Sequence, residues 1–211
     1  HQNVGALLLA LIAGVTWHVT LGSAVAAGVL VGTATAFKAF PVLLLVYFAM
    51  RRFWTALGAG IATTVALTAL PVLVYGFNDF QQLFTTWLTL GSGGWPIRGN
   101  NQSLIAALDR ATGAFGMSGV RTPGDAPIAS MLFGVVAIAL AAAALLVILT
   151  TRSEPLHVSC EMAAMTVLAV LLAPIAWDHY WTLLFPAFFM VHQSANPVLL
   201  GRTGLIAFWT A

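Results

Sequence analysis

The chain has 211 residues, of which 60% are apolar and 7% charged, and its net charge of +2 rests on eight basic and six acidic side chains. Soluble domains carry about 25% charged residues, so an ordinary water-soluble globular domain is excluded, and the mean hydropathy of +0.96 agrees. The basic residues are scattered, with one Arg51-Arg52 pair and no run, which excludes a nucleic-acid partner, and a lone Cys160 excludes a disulfide framework or thiolate metal site and reads as a small apolar filler.

The elements follow from apolar run lengths, since about 20 helical residues cross the hydrocarbon of a bilayer. On that basis the chain is all-α, a polytopic transmembrane helix bundle, with spans at 4–19, 21–37, 56–75, 130–150, 160–176 and 180–193 and a partial one from 197. The stretch 39–50 is short, and is read as a short or tilted span rather than a re-entrant segment. The chain opens with His1 at the edge of an apolar run, without a charged n-region or a small-residue cleavage site. It also ends inside one, and both features suggest a fragment of a longer polytopic protein, so residues 1–211 form one transmembrane domain.

Within this pattern Ala24, Gly28 and Gly32 recur every four residues, a stripe that lets a neighbouring helix approach closely. The segment 76–130 differs in composition. It holds Asn78-Asp79, Gln81-Gln82, the turn Gly91-Ser92-Gly93-Gly94-Trp95-Pro96 and Thr122-Pro123-Gly124-Asp125. At this length it is predicted to be a folded extramembrane loop, with a short helix over 102–108 capped by Asn100 or Asn101.

Orientation follows from the short-loop arginines. Arg51-Arg52, Arg152 and Arg202 fall on one side of the predicted spans, and the positive-inside rule makes that side cytoplasmic. The long loop and Asp178-His179 then face outward, together with Gln2-Asn3 and Lys38. Polar groups at membrane depth are costly and point to function, so these clusters predict one external site.

Lys38 follows a long apolar stretch and precedes Pro41; its ammonium suits a lipid-linked phosphate, or else snorkels to water. Arg98-Gly99-Asn100-Asn101-Gln102-Ser103 places amides and a hydroxyl at a helix start, where phosphate or sugar hydroxyls are attracted, or where they serve as an ordinary cap. In Pro174-Ile175-Ala176-Trp177-Asp178-His179-Tyr180-Trp181 an acid and an imidazole stand side by side among aromatics. They can share a proton, fix a tautomer or hydrogen-bond a leaving phosphate; the alternative is an interfacial aromatic belt. His18, His157, His192, Trp54 and Trp209 read as interfacial anchors, and no spacing suits a metal ligand set, so no metal or cofactor is expected.

Taken in order, these clusters resemble glycosyltransferase family 87, the polyprenyl-phosphate-mannose-dependent membrane mannosyltransferases typified by enzymes of phosphatidylinositol-mannoside assembly. Gln2-Asn3 is similar to the family's Gly-Gln-Asn segment. The stretch 28–41, ending in Lys38-Ala39-Phe40-Pro41 and followed by Arg51-Arg52, resembles its glycine-rich helix, Lys-x-x-Pro and basic loop. Residues 99–103 resemble its Asn-Gln-Ser motif, and 173–180 its Ser-Pro-x-Ser-Trp-x-His-His motif. His1 stands where the family has glycine, Ala173 and Ala176 replace the two serines, and Tyr180 replaces the second histidine.

The resemblance implies a plasma-membrane, multi-pass hexosyltransferase of the glycosyltransferase-C type. It would move a hexose, mannose, from a polyprenyl-phosphate carrier to a lipid or glycan acceptor on the extracytoplasmic side. Lys38 and Arg98 would hold the carrier phosphate. His179 would hydrogen-bond donor phosphate or sugar, oriented by Asp178, and Gln2, Asn3, Asn101, Gln102 and Ser103 would line the sugar pocket. The catalytic base expected of this type, a carboxylate in the first external loop, would precede His1, so the fragment alone is expected to be inactive. A secondary transporter, with charges midway and two similar halves, and a non-catalytic membrane subunit are the alternatives.

Overall fold

A computed structural model describes residues 4–92, 95–96, 101–112, 120–121, 124–151, 155–176 and 178–188, with the backbone alone at 89–92, 95–96, 120–121, 155–156 and 178–179. The elements are α1 (Gly5–Thr20), α2 (Ala24–Phe37), α3 (Val42–Met50), α4 (Trp54–Ala69), α5 (Val72–Ser92), β1 (Trp95–Pro96), α6 (Leu104–Ala111), β2 (Val120–Arg121), α7 (Pro127–Thr150) and α8 (Pro155–Leu172), followed by a 3-10 segment, Asp178–Leu184. Among the described residues the one sheet is the antiparallel pairing of β1 with β2, Trp95 opposite Arg121 and Pro96 opposite Val120. The fold is all-α, as composition and run lengths predict.

The α1–α2 hairpin packs against α4 through the small-residue stripe. A Cβ added at Gly28 would lie 2.3 Å from the Ala56 carbonyl oxygen, and one at Gly32 would lie 2.5 Å from that of Gly60. Gly60 in turn would meet Leu45 Cδ2 at 2.5 Å. The partner helix thus carries its own four-residue repeat, Ala56, Gly60 and Thr64, and the Thr64 hydroxyl donates to the Gly60 carbonyl at 2.9 Å and to that of Gly32 at 3.3 Å. Because the pairs 28–56 and 32–60 advance together, α2 and α4 run parallel. The short α3 therefore carries the chain back between them, as a helix of nine residues that ends at Met50.

This arrangement gives the bundle two ends. At one, the α3–α4 turn brings Arg51 to the end of α7 and the first turns of α8. Arg51 pairs bidentately with Glu161, Nε to Oε2 at 2.8 Å and Nη2 to Oε1, and donates to the Thr151 carbonyl at 3.0 Å and hydroxyl at 2.7 Å. The Tyr47 hydroxyl donates to the same carboxylate at 3.0 Å, and the Thr151 hydroxyl donates to it as well. Both ionic side chains are buried, at 8% and 3% exposure, and the hydrogen bond to Glu161 raises the Arg51 pKa above its ordinary value. Arg51 is therefore a structural partner at this end of the bundle. Arg152, Arg202 and the expected span from 197 lie outside the described residues, as does most of the second half of 180–193.

Run lengths are shorter than apolar composition implies. Among the described residues α7, with 24 residues, about 36 Å long, is the helix long and apolar enough to cross a membrane by itself. Helices α1 and α2 and the stretch His157–Leu172 are apolar but shorter. The expected span 56–75 is corrected: α4 ends at Ala69, and α5 leaves it at an angle of 86°. Pro71 is the cause, because it lacks an N–H and its ring clashes with the carbonyl four residues earlier. Gly76, at φ 80 and ψ 168, then interrupts α5 in a conformation that glycine tolerates. The described residues of 76–130 include most of α5, the β-ladder, α6 and the start of α7. Cys160 is exposed on α8 and is not a core filler.

Candidate functional site

The opposite end of the bundle collects the motifs. Helix α6 is formed by Leu104–Ala111, two residues later than 102–108, and its cap is Ser103 rather than Asn100 or Asn101. Ser103 has extended backbone angles (φ −66, ψ 153), and its hydroxyl accepts from the Ala106 N–H at 3.3 Å. A hydroxyl both accepts and donates, and the same group donates to the Pro174 carbonyl at 3.2 Å. The helix cap and the loop after α8 are thus joined through one atom.

Asn101 strengthens that junction. Its Oδ1 accepts from the Ser103 N–H and from the Ala176 N–H, each at 3.1 Å, and its Nδ2 donates to the Pro174 carbonyl at 3.4 Å. The neighbouring Gln102 N–H donates to the Ala176 carbonyl at 2.6 Å, and Arg110 reaches back to the Asn101 carbonyl at 2.9 Å. Asn101 and Ser103 are fully buried. Buried polar groups must be satisfied, and here the two side chains satisfy a non-repetitive loop that no sheet or helix would otherwise serve. The Asn-Gln-Ser segment and the Pro174–Ala176 segment, 71 to 75 residues apart in sequence, form one hydrogen-bonded unit.

Lys38 joins from another direction. It ends α2 in an extended conformation (φ −148, ψ 130), because Pro41 and the turn at 38–41 stop the helix. Its ammonium stands 5.7 Å from the centroid of the Tyr180 ring, in cation–π range, and the Phe40 ring lies 5.3 Å from the same ring. Tyr180 is buried. The position at which Tyr180 departs from the family histidine is therefore occupied by the residue that receives Lys38, a contact that residue type and spacing did not reveal.

Asp178 and His179 begin the 3-10 segment that presents Tyr180; their side chains lie outside the described residues, as do Gln2, Asn3 and Arg98. Helix α1 starts at this same end, since it is antiparallel to α2. Of the predicted site residues, the structure brings together Lys38, Asn101, Gln102 and Ser103 with the segment holding Asp178 and His179.

Two features were missed in the sequence. Asp109 is a buried carboxylate on α6, on the face that also buries Ile105 and Ala106; a single acid at the i+4 position from a buried isoleucine was the available signal. The second is an apolar groove of about 240 Å³ between α7 and α8. It is lined by residues including Leu140, Ala144, Val147, Glu161, Leu168 and Leu171, and so extends from the Arg51–Glu161 pair to within a few residues of Pro174.

No curated protein and no solved structure is found to be similar to this chain. The model of glycosyltransferase family 87 matches residues 1–174, which include Lys38, the Asn101–Ser103 junction and the first residue of the 174–176 loop. Members of this family are membrane glycosyltransferases. With four-fifths of its length matched (174 of 211 residues), the chain belongs to glycosyltransferase family 87.

Proposed function

We propose that this glycosyltransferase moves mannose from a polyprenyl-phosphate carrier to a lipid or glycan acceptor, at the extracytoplasmic face of the plasma membrane, as a multi-pass bundle. The observation that carries the reading is the convergence of Lys38, Asn101–Ser103 and the 174–180 segment at one end of the bundle. Polar motifs scattered over 140 residues of an apolar chain meet away from the Arg51 end, as a single one-faced site requires.

In the proposed reaction the bond between the sugar C1 and the carrier phosphate oxygen breaks, and a bond from C1 to the acceptor oxygen forms. The acceptor proton passes to a carboxylate base supplied from an external loop. Polyprenyl phosphate leaves with the charge that develops on it, and Lys38 and Arg98 offset that charge. His179, oriented by Asp178, hydrogen-bonds the departing phosphate or the sugar. Gln2, Asn3 and Gln102 line the sugar pocket, while Asn101 and Ser103 shape it. The α7–α8 groove suits the isoprenoid tail, being apolar and ending near the 174–176 loop.

The test is transfer by the intact enzyme in membranes supplied with polyprenyl-phosphate mannose or glucose. Mannose transfer is expected, and Lys38→Met should raise the apparent donor KM by about 10–100-fold, the equivalent of one charge-assisted hydrogen bond. Transfer of glucose alone would replace the sugar assignment, and unchanged donor KM in a well-inserted Lys38→Met enzyme would remove Lys38 from the phosphate site.

A further inference from the structure

The segment Phe77–Ser92 of α5 has the residue order of a helix that lies on a surface. At 3.6 residues per turn, Phe77, Phe80, Leu83, Phe84, Trp87 and Leu88 fall within an arc of about 140°, and Asn78, Asp79, Gln81, Gln82, Thr85 and Thr86 fill the other side. The two sets do not mix. The apolar face is uncovered by the rest of the chain: Phe77, Leu83, Trp87 and Leu88 are 67%, 55%, 54% and 51% exposed. Phe80, Phe84 and Trp87 stack on one another along it, with centroids 5.7 and 5.9 Å apart.

Three observations say what covers this face. Helix α5 leaves α4 at 86°, so if α4 runs along the bilayer normal, α5 lies in the membrane plane. It leaves at the end of the bundle where Lys38 stands, because α4 runs parallel to α2 and ends level with it. Continuing α4 across the hydrocarbon is ruled out by composition. Six polar side chains between 78 and 86 would be buried there, and one aspartate at mid-membrane already costs about 2.5–3.5 kcal/mol. An amphipathic helix with aromatic residues on its apolar face is the form that immerses at the headgroup boundary.

We propose that α5 is an interfacial helix, its Phe77–Leu88 face immersed in lipid at the level of the Lys38–Tyr180 contact, where it fixes the depth of the site in the membrane. The surface it fits is electrically neutral lipid, since the helix carries Asp79 and no basic residue. This rests on the reading of the bundle as membrane-spanning, and the experiment separates the two.

The intact protein in a Cys160→Ala background is reconstituted into phosphatidylcholine vesicles, with an environment-sensitive fluorophore on single cysteines at 81, 82, 83, 84, 85, 87 and 88. A control label stands at 138, midway along α7. Lipids brominated at shallow and deep acyl positions report depth. Labels at 83, 84, 87 and 88 should be quenched by shallow bromines, and those at 81, 82 and 85 only by aqueous iodide, with no change when anionic lipid is added. A deeply quenched label at 138 together with α5 labels that are all aqueous, that deepen steadily along the helix, or that are shielded from both quenchers would overturn the interfacial helix alone. An aqueous label at 138 would remove the spanning reading and this inference together.

Discussion

Asn101 is a motif residue whose side chain is committed to the backbone around it. Both lone pairs of its Oδ1 are taken by buried backbone N–H groups, those of Ser103 and Ala176, so its side chain holds two loops together and little acceptor capacity remains for a sugar. Asn101→Ala should leave both N–H groups unpaired, at about 1–3 kcal/mol each. A fall in thermal stability in detergent that parallels the loss of transfer is the expected outcome; normal stability with lost transfer would return Asn101 to the sugar pocket. His179 makes the opposite kind of prediction. If it hydrogen-bonds charge developing on phosphate, His179→Ala should lower turnover by about 10²–10³-fold, as for a lost oxyanion donor, with donor KM and melting temperature nearly unchanged. Asp178→Asn should cost less, and His157→Ala, near the far end of α8, should leave turnover intact. Equal turnover in His179→Ala and the parent enzyme would sink the assignment.

Between elements, close approach and buried charge do different work. The α2–α4 contact depends on absent side chains. Gly28→Ala puts a methyl 2.3 Å from a backbone oxygen, whereas Gly58 on the same α4 has nothing within 4 Å of its Cβ position. Overpacking of this kind costs about 1–3 kcal/mol, so Gly28→Ala should lower the melting temperature, while Gly58→Ala should be neutral or slightly stabilising through helix propensity. Comparable melting of the two variants would mean that the helices are not held at this distance. At the other end, removing one member of the Arg51–Glu161 pair strands a buried charge. Arg51→Met or Glu161→Leu alone should destabilise by about 3–5 kcal/mol, and the double substitution should recover much of that loss. A double-mutant cycle on thermal unfolding reads this directly; additive losses would show that the pair is not coupled.

Among the described residues the candidate site stands at one end of the bundle and the buried ion pair at the other, about one helix length apart. If the first is extracytoplasmic and the second cytoplasmic, an impermeant thiol reagent must reach them from opposite sides. Thr112 and Thr55 are exposed near the two ends, and Thr112→Cys and Thr55→Cys, each with Cys160→Ala, should label from outside and inside respectively. Labelling of both from one side would contradict the orientation drawn from the arginines.

Composition and apolar run lengths were enough for an all-α chain. The small-residue stripe on α2 was legible because close packing needs it, and the polar clusters stood out because an apolar chain has few. What pairing these features made was not legible. That Gly28 meets Ala56, or that an asparagine between the two strands of the β-ladder serves a backbone amide 75 residues away, depends on contacts between distant segments that local patterns do not encode. Pro71 was read within one continuous span, 56–75, whereas the chain turns there by 86° and leaves the apolar face of α5 uncovered. Tyr180 read as a departure from its motif, and only packing placed its ring against Lys38. Apolar content depends on residue type alone and survives in one dimension. A site depends on which chain ends meet, and that is settled by helix register and the direction in which each loop returns.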